Sequence, residues 1–144
     1  MAPASFPRYV ATGVLAVGLL AGPAATTASA ETGPDLSAGP IDGSQYLKPG
    51  EKVHFDTCVE NQGDQGTGVF NIAWYVSGER VGYGSHSGVP AHTKICDGNS
   101  QFDWTAPGDV GGSRIIKWVV DEDNMVQDSD RSNNSSEVTV VIHD

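Results

Sequence analysis

Residues 114–144 read RIIKWVVDEDNMVQDSDRSNNSSEVTVVIHD: two runs rich in β-branched and aromatic residues, 114–121 and 136–142, around a loop crowded with Asp, Asn and Ser. Branched side chains suit the pleated surface of a sheet, and short polar side chains suit the turn between strands. The segment predicts a long β-hairpin. An isolated hairpin is marginal in water, so this one must pair with further strands to bury its apolar face.

Those strands are legible upstream. In 52–61, KVHFDTCVEN, Val53, Phe55, Thr57 and Val59 fall on one face and His54, Asp56, Cys58 and Glu60 on the other. A period of two over this length predicts one half-buried strand, with Cys58 turned away from the core. Residues 69–77 alternate again, with Phe70, Ile72, Trp74 and Val76 sharing a face. A turn at 77–80 leads to a short strand at 81–83 and a loop at 84–90. Residues 91–96 and 100–105 read as two short strands around Asp97-Gly98-Asn99, or as one strand with an insertion. Phe102 and Trp104 share parity, as do Ile116, Trp118 and Val120, so the three indoles are expected in the core. Tyr75 lies on the opposite parity and is expected at the surface. Residues 31–45, rich in Gly, Pro and polar side chains, form a linker or weak edge strand ahead of a domain over 46–144. No helical period is sustained anywhere, which predicts an antiparallel β-sandwich.

Residues 1–30 carry Arg8 as their only charge, a short apolar run, and a small-residue end at Ala28-Ser29-Ala30. These are the parts of a secretory signal peptide, and the apolar run is well below the roughly 20 residues of a membrane span. The expected product is a released, monomeric protein with no membrane span, 114 residues long. Its net charge moves from −10 to −11, because only Arg8 is removed. That acidity opposes nucleic acid and anionic lipid partners, and it also keeps an exported protein soluble. Cys58 and Cys96 are the only cysteines. In an oxidising compartment they are expected to pair, contributing roughly 4 kcal/mol by chain entropy.

The motifs, taken in order, resemble a known family. They are Pro34-Asp35-Leu36; the Lys48-Pro49-Gly50 turn; Val59-Glu60-Asn61-Gln62-Gly63; the Trp74-Tyr75-Val76-Ser77-Gly78-Glu79-Arg80-Val81-Gly82 hairpin; and Val119-Val120-Asp121-Glu122-Asp123-Asn124-Met125-Val126-Gln127-Asp128-Ser129-Asp130-Arg131-Ser132-Asn133-Asn134. Together they are similar to the bacterial CARDB family, the cell-adhesion-related domain, over about 34–141. The last segment is the most specific. Asp128 and Arg131 stand where the family usually has Glu, and the cysteine pair is not part of its pattern. The resemblance implies an all-β, immunoglobulin-like antiparallel sandwich of about seven strands, used as an extracellular module, usually without catalysis.

The loop oxygens suit a hard cation such as calcium, with Asp121, Asp123, Asn124, Asp128 and Asp130 as candidate ligands; no other cofactor is expected. The competing expectation is that a long hairpin loop uses these side chains to satisfy its own backbone, with Met125 or Val126 as an apolar plug. No helix–loop–helix calcium pattern is present. His86 and His92, near Cys96 and Asp97, are better read as exposed loop histidines than as a transition-metal site. No nucleophile elbow or paired-carboxylate groove is recognisable, so no enzyme is expected. The function these features support is a secreted, non-catalytic binding or adhesion-type module meeting extracellular protein, cell wall or polysaccharide. The alternative is a small-ligand carrier or secreted inhibitor on a similar sandwich.

Overall fold

In a computed structural model, which describes residues 33–108 and 111–144, the C-terminal hairpin is formed by β9 (Gly112–Val120) and β10 (Ser135–Ile142), paired antiparallel from Val119↔Ser135 to Gly112↔Ile142. The expected leader over 1–30 lies outside the described residues. On the other side of β9 runs β5 (Phe70–Val76), and outside β5 the edge strand β6 (Glu79–His86). The two-residue β2 (Tyr46–Leu47) joins β10 in parallel. The resulting five-stranded sheet, in the order β2-β10-β9-β5-β6, is one layer of the molecule.

The opposite layer is built from two smaller ladders. β3 (Lys52–Asp56) pairs with β8 (Gln101–Thr105), and β4 (Val59–Asn61) lies between β1 (Leu36–Ala38) and β7 (Thr93–Ile95). The single strand expected over 52–61 is therefore two strands in different ladders. The alternation survives the break: Val53, Phe55, Thr57 and Val59 are all buried. What ends the first ladder is Thr57, whose N–H turns to the Ser100 carbonyl (2.9 Å) and whose hydroxyl turns to the Gly39 carbonyl (2.9 Å). Likewise, 91–105 supplies two strands that separate to the two ladders. Ten strands replace about seven because sheet changes split runs that read as continuous.

Between the layers, Trp118 and Trp74 sit 5.8 Å apart, Trp74 stacks on Phe102 at 5.2 Å, and Phe102 reaches Phe55 at 6.5 Å. This aromatic ladder spans the core from sheet to sheet. Trp118 is fully buried and Trp74 nearly so, while Trp104, also expected in the core, is only half-buried at its edge. Leu36 and Ile41, ahead of β2, belong to the same core.

Cys58 and Cys96 are joined in a disulfide. They follow and precede the paired positions Val59↔Ile95, so the bond staples neighbouring strands of one ladder rather than crossing the sandwich.

Candidate functional site

The acidic loop between β9 and β10 turns its oxygens toward its own chain. The Asp121 carboxylate is buried, and it accepts from the N–H groups of Met125 (2.8 Å) and Val126 (3.1 Å) and from Arg131 (3.2 Å). Asp121 and Asn124 take positive φ (51° and 56°), a left-handed conformation that Asp and Asn tolerate better than most residues. Val126 is the buried plug; Met125 is exposed. Asp123 accepts from the Tyr83 hydroxyl at 2.6 Å. Asp128 accepts from Leu36 N–H (3.3 Å), Asp130 N–H (3.1 Å) and Asn134 Nδ2 (2.8 Å). Asp130 caps Ser132 through its N–H and hydroxyl, and these bonds hold its pKa below the usual carboxylate value. The five candidate ligands thus divide among separate hydrogen-bonding tasks. Among the described residues no group of three His, Cys, Asp or Glu side chains is arranged to hold a metal ion.

Much of this loop serves β1. Leu36 N–H is held by Asp128, Pro34 O accepts from Ser129 N–H (3.0 Å), and Asp35 accepts from Asn133 Nδ2 (2.9 Å). Asn61 completes the attachment from the other side. Fully buried, it accepts from Asp35 and Gly63 N–H through Oδ1 and donates to Gln65 and Val89 carbonyls through Nδ2. Gly63 has no room for a side chain: a Cβ there would lie 2.0 Å from the Gly33 carbonyl oxygen. The Asn-x-Gly motif and the acidic segment, distant in sequence, clamp one edge strand.

Facing solvent, the five-stranded sheet presents the residues of opposite parity to Trp74 and Trp118. Register lines up Glu137, Lys117, Tyr75 and Arg80 across four strands. A depression of about 580 Å³ opens here, lined by Tyr75, Ile115, Lys117, Val119, Glu122 and Glu137. Tyr75, expected to be exposed, is half-buried, with its neighbours forming the rim. Lys117 is half-buried and makes no ion pair among the described residues. Arg80 lies 3.3 Å from Glu122 and over the Tyr83 ring at 4.9 Å. Burial, then the charge of Asp123, raises the Glu122 pKa, with half-exposed Arg80 a screened counter-charge. Tyr83 is raised in turn by its bond to Asp123. Parity alone assigns Tyr75, Lys117 and Glu137 to this face; their adjacency depends on register between strands far apart in sequence, which no local pattern reports.

The histidines separate. His86 is not an exposed loop residue: it ends β6 opposite Phe70, is fully buried, and stacks on that ring at 5.0 Å. The strand runs three residues past the short segment expected at 81–83, which carries the imidazole inward. His92 is exposed, 3.0 Å from Asp64, while Cys96 is consumed in the disulfide. His54, on the solvent face of β3, is held between Asp103 (2.6 Å, directly cross-strand) and Asp56 (3.3 Å), and the Asp103 bond is the main cause of its raised pKa.

The same architecture occurs in known proteins. A CARDB domain from Pyrococcus furiosus, solved in complex with di-metal ions, superposes with a TM-score of 0.67 at 22% identity, over 76% of this chain and 89% of that one. A domain from a Methanosarcina acetivorans protein whose name places it at the cell surface superposes with a TM-score of 0.59 at 25% identity, over 74% and 90%. A β-glucosidase from Listeria innocua contains a similar sandwich: TM-score 0.55 at 12% identity, over 77% of this chain but 16% of that one. These likenesses identify an immunoglobulin-like β-sandwich. No curated protein sequence matches the chain. The CARDB family model matches residues 33–138, and with that span the chain belongs to the CARDB family.

Proposed function

We propose that this protein is a secreted, non-catalytic binding module of the bacterial cell exterior, engaging extracellular protein, cell-wall or polysaccharide material through the outer face of its five-stranded sheet. The observation that carries the reading is the depression around Tyr75 and Lys117. It sets an aromatic ring and an unpaired, half-buried ammonium between the carboxylates of Glu122 and Glu137. Such a surface offers stacking and charge-assisted hydrogen bonds at once, without desolvating a deep cleft. Catalysis would need a nucleophile with its base or a poised acid–base pair, and the depression holds neither arrangement.

The alternative, a small-ligand carrier, would favour a tryptophan-lined cleft open to water. Trp74 and Trp118 are buried, and Trp104 alone reaches the surface, which supports the module reading. Export is supported by the leader pattern over 1–30, by the disulfide, and by the cell-surface naming of the Methanosarcina relative. Among the described residues no helix is long and apolar enough to cross a membrane.

Sedimentation with isolated cell-wall material tests the reading. The wild type is expected in the pellet, and the Tyr75→Ala/Lys117→Ala double variant in the supernatant with an unchanged melting midpoint. Equal sedimentation of the two would refute the outer face as the binding surface.

A further inference from the structure

Edge strands normally carry devices that prevent pairing with another chain: charges, prolines or covering loops. β6 is the outermost strand of its sheet and eight residues long. Glu79 and Arg80 protect its start, and Asn99 Nδ2 takes the Ser85 carbonyl near its end. Between them, Val81-Gly82-Tyr83-Gly84 carries no charge and no proline, and Val81 and Tyr83 are exposed.

The core side of this same stretch is open. Gly82 lies opposite Trp74 and Gly84 opposite Ile72, on the face where a sandwich strand ordinarily contributes apolar side chains. Two glycines leave instead a groove of about 200 Å³, lined by Ile72, Trp74, Gly82, Gly84, Asn99 and Phe102. The Cδ1 edge of the Trp74 indole, the edge bearing Nε1, is the part that a Cβ on Gly82 would meet, at 3.5 Å. That indole N–H is buried and has no acceptor among the described residues. An unpaired backbone edge, an apolar slot beside it and an unmatched donor beneath it coincide over four residues.

We propose that β6 accepts an extended peptide of neutral or basic character as an added strand along Val81–Gly84, with one of its aliphatic side chains seated in the groove over Gly82 and Gly84. Main-chain bonds give such pairing its affinity, and the pocket for alternate side chains gives it selectivity. Charge chooses the partner. The chain carries −10 overall, Asp123 sits on the Tyr83 hydroxyl and Asp97 precedes the turn at Gly98. A second copy would bring the same acidity to this edge and be repelled, whereas a lysine- or arginine-bearing strand is drawn in. This edge is separate from the outer-face depression, so the two assignments stand or fall independently.

Gly84→Val provides a clean test. A Cβ at this position meets Asn99 Oδ1 at 3.8 Å and Ile72 Cδ1 at 3.9 Å, ordinary contact distances, so the valine fills the groove without distorting the strand. A library of short linear peptides displayed on phage is panned on the wild type and on this variant. The wild type is expected to enrich peptides that alternate aliphatic residues with Lys or Arg. An enriched peptide should slow amide exchange at Val81–Gly84, bind the folded Gly84→Val protein about ten- to a hundredfold more weakly, and bind Tyr75→Ala unchanged. Enrichment equal on both proteins, or no enrichment, overturns the proposal. So does protection at Tyr75 and Lys117 instead of β6, or a concentration-dependent dimer that protects Val81–Gly84 without peptide.

Discussion

Asp121 shows how a residue that reads as a ligand becomes a scaffold. Its side chain is fully buried and has three donors directed at it, two of them backbone N–H groups of its own loop. Truncation to Ala would leave those donors and Arg131 unmatched in a dry site, at a cost of about 3–5 kcal/mol. Urea unfolding should show that loss for Asp121→Ala and a smaller one for Asp121→Asn, since Asn keeps an acceptor and tolerates the positive φ. His54 makes a pH prediction. Its folded pKa lies above the ordinary 6.5, chiefly through the Asp103 bond, and Asp56 and Asp103 are the charged groups that face it. The stabilisation is fully present below that ordinary value and is lost as pH rises through the raised one. The stability difference between wild type and His54→Gln should therefore shrink as pH increases from about 6 to about 9; a constant difference would remove the carboxylate clamp as its cause.

At the scale of the element, alternation located the strands but not their ends. Val53, Phe55, Thr57 and Val59 keep one parity through a change of ladder, because the inward direction is the same in both. Nothing local marks Thr57 as the point of transfer; its partners Ser100 and Gly39 are distant in sequence. The attachment of β1 depends equally on remote groups. A methyl at Gly63 would meet only backbone, at 2.0 to 2.8 Å, and backbone cannot step aside as a flexible side chain can. Gly63→Ala is thus expected to release β1, seen as rapid amide exchange at residues 36–38 while β5 and β9 stay protected. Slow exchange at β1 in that variant would show the approach to be less close than it is described here. The same clamp explains why the acidic segment carries so many Asp and Asn residues: several of them tie this strand down.

For the whole molecule, the distribution of hydrogen bonds bears on cation binding. Asp121 and Asp128 already accept three bonds each, so a cation would have to displace backbone or amide donors. Melting midpoints are expected to coincide in excess calcium and in chelator; a rise with calcium would mean that the loop rearranges to take the ion. From sequence alone came the all-β class, the C-terminal hairpin, the cysteine pair and the family resemblance, because side-chain alternation and turn chemistry act within a few residues. Only tertiary structure decided that His86 is core, that Tyr75 stands beside Lys117, that the acids hold β1, and that two glycines open the β6 edge. Each of those depends on which strand lies next to which, and that choice is made by the packing of the two layers rather than by any segment on its own.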